Sequence, residues 1–177
     1  MRRNPKTVDE LLLRTFRPGD EDAFRLLNEA WISQHFALEP ADREVLDDPR
    51  AHILSRGGQV CIAEQRGEVV GCCALIAIAP GELELAKMTV AESARGLGIG
   101  RKLLRFAIGV ARQMGAHRVY LESNTRAEAA IHLYEQLGFR RIAAPEHPSK
   151  YERANVFMEL ALVSDRELVR ISGSPRR

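Results

Sequence analysis

Arg95-Gly96-Leu97-Gly98-Ile99-Gly100-Arg101-Lys102 follows an apolar, strand-like run and opens a strongly helix-periodic segment. Three glycines at alternate positions remove the side chains that would hold a ligand off the backbone. The first amides of a helix have no partner within it, so the junction presents a row of free donors. Such a row favours an anion, and a pyrophosphate fits it. A plain glycine turn between strand and helix would explain the same letters. Two better-known glycine motifs do not. A dinucleotide fingerprint puts its third glycine three residues after the second, and that position is Arg101. A nucleotide-triphosphate loop needs Gly-Lys followed by Ser or Thr, and the chain has no such run.

Upstream of the loop, the strand from Glu82 to Val90 alternates through Leu83 and Leu85, then resumes out of phase at Met88 and Val90. One inserted residue, a β-bulge near Ala86-Lys87, accounts for the change of phase. A strand covered on both faces, with Lys87 reaching solvent, is the alternative. Downstream, Leu103, Leu104, Ala107, Ile108, Ala111 and Met114 form one helical stripe that ends at Gly115. A short strand at Val119–Leu121 and a helix over about 126–137 follow, with Ala130, Ile131, Tyr134 and Leu137 facing inward. Gly138 reads as a left-handed C-cap, with Phe139 folding back on the last turn.

Farther out, residues 11–17 read as a first strand, and Asp20 as the N-cap of a helix carrying Phe24, Leu27 and Trp31. An acidic helical region covers about 40–54 and breaks at Asp48-Pro49. Val60–Glu64 and Val69–Ile78 form a hairpin around Gln65-Arg66-Gly67-Glu68. Strands near 139–143 and 154–163 complete a domain over 11–163, between a flexible N-terminus (1–10) and a basic tail (164–177).

At 177 residues, with 45% hydrophobic and 28% charged side chains, the chain suits one α/β domain. The net charge of +2 is outweighed by the terminal Arg2, Arg3, Arg176 and Arg177, so nucleic acid is not an implied partner. No apolar run approaches the length of a membrane span. Cys61, Cys72 and Cys73 lie in apolar strand-like runs without disulfide or metal spacing, which points to a reducing cytoplasm and to no metal. The five histidines are scattered, without paired spacing for a zinc site or a hydrolase dyad.

Leu85–Leu104, with Leu121–Phe139, resembles the acetyl-coenzyme-A-dependent N-acetyltransferases of the GNAT superfamily, and the likeness extends more weakly over almost the whole chain. In that family an Arg/Gln-x-x-Gly-x-Gly/Ala segment binds the coenzyme pyrophosphate; Arg95, Gly96, Leu97, Gly98, Ile99 and Gly100 satisfy it with a glycine to spare. The resemblance implies a single-domain fold with a mixed, twisted sheet of six to seven strands. Helices cover both faces, and splayed central strands admit the coenzyme. It favours the bulge. It also implies coenzyme contacts from the main chain of Met88, Thr89 and Val90, charge from Arg95, Arg101 and Lys102, and a contact from Asn124, which a turn or capping role would explain equally well.

Acyl transfer from a thioester to an amine needs a polarised carbonyl, a deprotonated nitrogen and a proton for the departing sulfur. Backbone N–H groups of Met88 and Val90 are the candidates for the first. Tyr134, protonated at neutral pH and standing just before Gly138-Phe139, is the candidate acid, or else a core tyrosine. Glu84 is the candidate base, with Glu82 or Glu122 as substitutes and a solvated strand carboxylate as the bland alternative. Glu39, Asp42, Glu44, Asp47 and Asp48 would border the acceptor side and attract a cation, or simply form a solvated helix. The loop at 145–151 is a second acceptor candidate. The expected reaction is acetylation of a primary amine, on a small molecule or a protein, by direct attack without an acyl-cysteine. A non-catalytic acyl-coenzyme-A sensor and a transferase of longer acyl chains are the competing readings. A homodimer through exposed strand edges is left open.

Overall fold

Gln59–Gln65 (β2) and Glu68–Ala79 (β3) pair antiparallel around a tight turn in which Arg66 and Gly67 both take positive φ, 55° and 79°. Mirror-image turns of this kind match the right-handed twist of the strands they join. The computed structural model describes residues 11–146 and 148–162, and in it this hairpin forms the second and third strands of the sheet. The expectations for residues 1–10, His147 and the tail from 164 lie outside the described residues.

Leu11–Thr15 (β1) adds to one side of the hairpin, and Glu82–Val90 (β4) to the other. Arg118–Ser123 (β5), Arg140–Ile142 (β6) and Val156–Ala161 (β7) complete one seven-stranded sheet in the order β1-β2-β3-β4-β5-β7-β6. Only the β4–β5 pairing is parallel, and a parallel neighbour requires a crossover. The helix that makes it, Ile99–Gln113 (α4), buries the predicted leucine–alanine stripe except for Met114, which stands at its C-cap and is exposed.

The sheet separates two cores. Cys61, Ala63, Cys73, Leu75, Leu83 and Leu85 pack with α4 and with Ile131 and Tyr134 of Glu128–Gln136 (α5). On the opposite face Val60, Ile62, Cys72, Ala74 and Ile76 meet Phe24 and Ile32 of Glu21–His35 (α1) and Leu46 of Pro40–Asp47 (α2). A short helix, Pro49–His52 (α3), begins at the predicted proline break, where the Asp48 carboxylate accepts from Ala51 N–H at 2.9 Å. Helices therefore cover both faces, as expected.

One local expectation changes, and one alternative falls away. Asp20 stands at the N-cap of α1 but makes no capping bond. Its carboxylate instead accepts from the Arg14 guanidinium at 2.6 and 2.9 Å and from Arg17 N–H at 2.7 Å. A bidentate charged donor outcompetes a helix amide. Lys87 does not reach solvent, because its side chain is only 4% exposed.

The change of phase in β4 is a bulge: Ala74 faces Ala86 but Cys72 faces Thr89, so β4 spends one residue more than β3, and Lys87 takes φ 53°. Leu83, Leu85, Met88 and Val90 thereby all reach the α4 core. At the end of α5 the Phe139 and Gly138 amides donate to Tyr134 and Glu135 carbonyls, both at 3.1 Å, with Gly138 at φ 95°. This is the Schellman arrangement, and the Tyr134 and Phe139 rings close it with centroids 5.8 Å apart.

Candidate functional site

β4 and β5 pair only through Glu82–Arg118, Leu83–Val119 and Glu84–Tyr120. Beyond Glu84 the strands part, which opens one edge of β4. Ala91 N–H donates to Val70 O at 2.8 Å, in the same register that sets Val90 opposite Gly71 and Thr89 opposite Cys72. Alternation along an antiparallel ladder then turns the Thr89 amide toward β3, and those of Met88 and Val90 toward the open edge. Val90 O accepts from Arg95 Nε at 3.2 Å on that side. Thr89 is therefore removed from the free donors: its backbone pairs with Cys72, and its side chain is buried.

The glycine loop lies immediately after. Gly96 and Gly98 take φ 77° and 75°, and a Cβ at either would meet nothing within 4 Å. Both are open to solvent, and Leu97 is 61% exposed. Gly98 caps α4 without a side chain, and its carbonyl accepts from Lys102 N–H at 3.2 Å. The amides of Ile99, Gly100 and Arg101 precede that bond and have no helical acceptor. The Ile99 side chain is buried, so this residue offers only its backbone. Arg101 hydrogen-bonds Gln136, which ties the loop to α5, while Lys102 stays exposed.

Around the split runs a cleft with a cavity of about 110 Å³, lined by Glu84, Lys87, Met88, Asn124 and Tyr134 among others. Glu84 is buried and has no hydrogen bond or ion pair among the described residues; desolvation raises its pKa, with the charge of Glu122 adding to the rise. Tyr134 arrives from α5. Desolvation also raises its phenol pKa, and its hydroxyl bonds no described residue. A neutral phenol with an uncommitted proton and a desolvated carboxyl group with a raised pKa thus share one cleft. Asn124 is largely committed to the fold: its Oδ1 accepts from Arg126 N–H at 2.8 Å, and its Nδ2 donates to Arg153 O at 2.6 Å.

A buried ionic cluster forms the opposite wall. Lys87 Nζ donates to Asp42 Oδ1 at 2.5 Å and to the Tyr151 hydroxyl at 3.0 Å. Arg153 grips both Asp42 oxygens at 2.7 Å and Glu39 at 2.8 Å, and its guanidinium lies 4.6 Å from the Tyr151 ring centroid. Asp42 is fully buried. Burial opposes its charge, but the Arg153 and Lys87 donors outweigh that and hold the carboxyl below its usual range. Desolvation lowers the Lys87 pKa.

Of the acidic run, Asp42 and Glu39 are already neutralised from within by Lys87 and Arg153, so these two are not free to attract a cation. Sequence reasoning missed Lys87 and Arg153 as wall residues. The out-of-phase strand was the available signal for Lys87, since a bulge turns its extra residue toward a new face. The 145–151 loop does border the cleft. Ser149 hydrogen-bonds Glu122, which also accepts from Tyr120 at 2.9 Å, so that carboxylate is occupied. Glu82 is spent on Arg118 at 2.7 Å.

Comparison with known proteins agrees with this geometry. The model of the acetyltransferase (GNAT) family matches residues 15–139. An uncharacterized N-acetyltransferase of Escherichia coli, YjgM, is 40% identical over 119 residues, 63% of this chain and 71% of that protein. A probable N-acetyltransferase of Xenopus tropicalis, camello, is 35% identical over 109 residues, 60% of this chain and 50% of its own length. The chain thus spans about half the length of that relative. A GNAT-family acetyltransferase structure from Staphylococcus aureus superposes with a TM-score of 0.79 at 22% identity, covering 87% of this chain and 100% of the other. A putative acetyltransferase from Salmonella typhimurium, solved with its cofactor acetyl-CoA, gives 0.66 at 24% identity over 86% and 94%.

Proposed function

The chain belongs to the acetyltransferase (GNAT) family, and on that premise we propose that it transfers an acetyl group from acetyl-coenzyme A to a primary amine by direct attack within a ternary complex. The observation that carries this reading is the split between β4 and β5, which brings free main-chain donors, an uncommitted phenol and an unpaired buried carboxylate to one cleft beside the glycine loop. Acetyl-coenzyme A would supply an activated carbonyl and a thiolate leaving group. The loop fits its diphosphate, since space lies where Cβ atoms would stand at Gly96 and Gly98.

The Met88 and Val90 amides face the open edge, where negative charge on a carbonyl oxygen would gain most from fixed donors. Glu84 removes a proton from the incoming ammonium; its raised pKa makes it a better base than an ordinary glutamate. Tyr134 holds its proton at the hydroxyl for the departing sulfur. Arg95, Arg101 and Lys102 add positive charge near the loop, and Asn124 has one amide hydrogen left for the coenzyme arm. No acyl-cysteine is involved. Cys61, Cys72 and Cys73 are fully buried; burial pushes the Cys72 thiol up to about 12, and the hydrogen bond with Cys61, together with burial, holds the Cys73 thiol well above its ordinary value. Three buried free thiols also support a cytoplasmic home.

The test is amine-dependent release of free thiol from acetyl-coenzyme A across a panel of amines. Turnover is expected, and Tyr134→Phe is expected to lower kcat by about 10²–10⁴-fold. A protein that binds coenzyme A tightly yet releases thiol with no amine would overturn the proposal in favour of a sensor. An acetylated cysteine in intact mass spectra would overturn direct attack.

A further inference from the structure

The apolar stripe of α1 is broken by one polar residue. Phe24, Asn28 and Ile32 are the buried positions of this helix, and Asn28 is 2% exposed. An amide placed there costs stability unless its hydrogen bonds are met. Nδ2 meets its share: it donates to Phe24 O at 2.9 Å and to Cys72 Sγ at 3.4 Å. A backbone carbonyl can only accept, so the first contact identifies which end of the amide is nitrogen. Cys72 Sγ in turn donates to Lys87 O at 3.9 Å, which leaves its sulfur as an acceptor for Asn28. Both amide hydrogens are spent, and the orientation of the group is locked.

Oδ1 is left over. It bonds no described residue, yet no sealed side-chain oxygen or nitrogen among the described residues lacks a partner. Oδ1 therefore opens onto the cleft that Asn28 lines together with Glu84, Lys87 and Trp31. The position belongs to the acceptor side: Asn28 packs with the α1 face of the sheet, whereas Met88, Val90 and the glycine loop lie toward α4.

We infer that Asn28 is a specificity residue for the acceptor, its Oδ1 accepting one N–H of the amine so that the site selects primary amines over their N-methyl counterparts. The inference deepens the acetyltransferase reading and rests on it for the identity of the ligand. An amine must lose a proton before it attacks, and a neutral primary amine then keeps two N–H groups. Asn28 Oδ1 engages one, leaving the other for Glu84 or water. A secondary amine has only one, and its methyl group would leave a preoriented oxygen without a donor.

The experiment uses the best substrate from a panel of simple alkyl and aralkyl primary amines, paired with its N-methyl form. For each, kcat/KM and the affinity for the protein–coenzyme A complex are measured. Wild type is expected to prefer the primary amine by about tenfold or more, the worth of one well-placed hydrogen bond. Asn28→Ala should lose most of that preference, raise KM for the amine and leave KM for acetyl-coenzyme A unchanged. Where Asn28→Ala fails to fold, Cys72→Ala unlocks the amide without touching the cleft, and should weaken the preference in the same direction. Equal losses for both amines, or a loss confined to acetyl-coenzyme A, would overturn the inference and leave the acetyltransferase reading standing. Asn28-dependent selectivity in amine binding without any acetyl transfer would support the inference and overturn that reading.

Discussion

The two sides of the cleft are built by opposite means. On the proposed coenzyme side the groups on offer are backbone amides around an exposed run, Arg95–Gly98, and the start of α4, where side chains are absent, exposed or, at Ile99, turned into the core. On the acceptor side the wall is a buried network of side chains in which Lys87 from the β4 bulge, Asp42 from α2 and Arg153 from the approach to β7 converge. If the loop holds the coenzyme as proposed, a backbone cradle suits a group that never changes, and needs conformational freedom and little else. A side-chain wall can be rewritten one residue at a time, which suits the half of the reaction that sets identity. Its cost is that each charge depends on partners more than forty residues away.

The comparison breaks first at Asp42. Asp42→Asn leaves the Lys87 ammonium and Arg153 guanidinium buried against each other, and equilibrium denaturation should show a loss of about 3–5 kcal/mol. Combining Asp42→Leu with Lys87→Met, which removes the opposing charges together, should recover much of it. Gly98→Ala tests the other side: a φ of 75° costs an alanine about 1–2 kcal/mol. Calorimetric affinity for coenzyme A should fall further than stability does, because the new methyl group enters ligand space rather than protein.

A smaller effect is expected from Glu84→Gln. Desolvation makes the native protein bind this proton more tightly than the unfolded chain does. As pH rises from the ordinary glutamate value of 4.5 to the raised native one, the unfolded state loses its proton first and wild-type stability falls. The glutamine variant lacks that loss. It should draw level with wild type in acid and become the more stable protein above the window, as read by urea midpoints at stepped pH. Smallest of all, Gly100→Ala puts its Cβ 3.6 Å from Leu133 Cδ2, an ordinary contact, at a helical position where alanine is preferred by up to about 1 kcal/mol. Thermal melts should show no loss, and an unchanged affinity for coenzyme A would separate this glycine from Gly98.

Legibility followed the same division. The hairpin, the α4 stripe, the break at Pro49 and the cap at Gly138 were readable because each is set by neighbours within a few residues. The bulge was readable as a change of phase, but the direction of Lys87 was not. Asp20 was placed rightly at the N-cap, but its carboxylate's partner was not legible, because the competitor for it, Arg14, is presented by the adjoining strand. Which edge of β4 the Thr89 amide faces was not legible, because strand letters do not carry that information. Asn28 was not legible as a site residue, since one polar residue in an apolar stripe looks the same whether it faces a cleft or a void.

What the chain's order of residues determined alone is the glycine-rich strand–helix junction, the crossover helix behind it and the layered α/β plan, for these depend on local conformation and on the period of burial. The split beside β4, the neutralised acidic wall and the orientation of the Asn28 amide were decided only when distant elements packed. Hydrogen bonds and ion pairs between buried groups act over a few ångströms, and spacing along the chain does not reveal which groups will come that close.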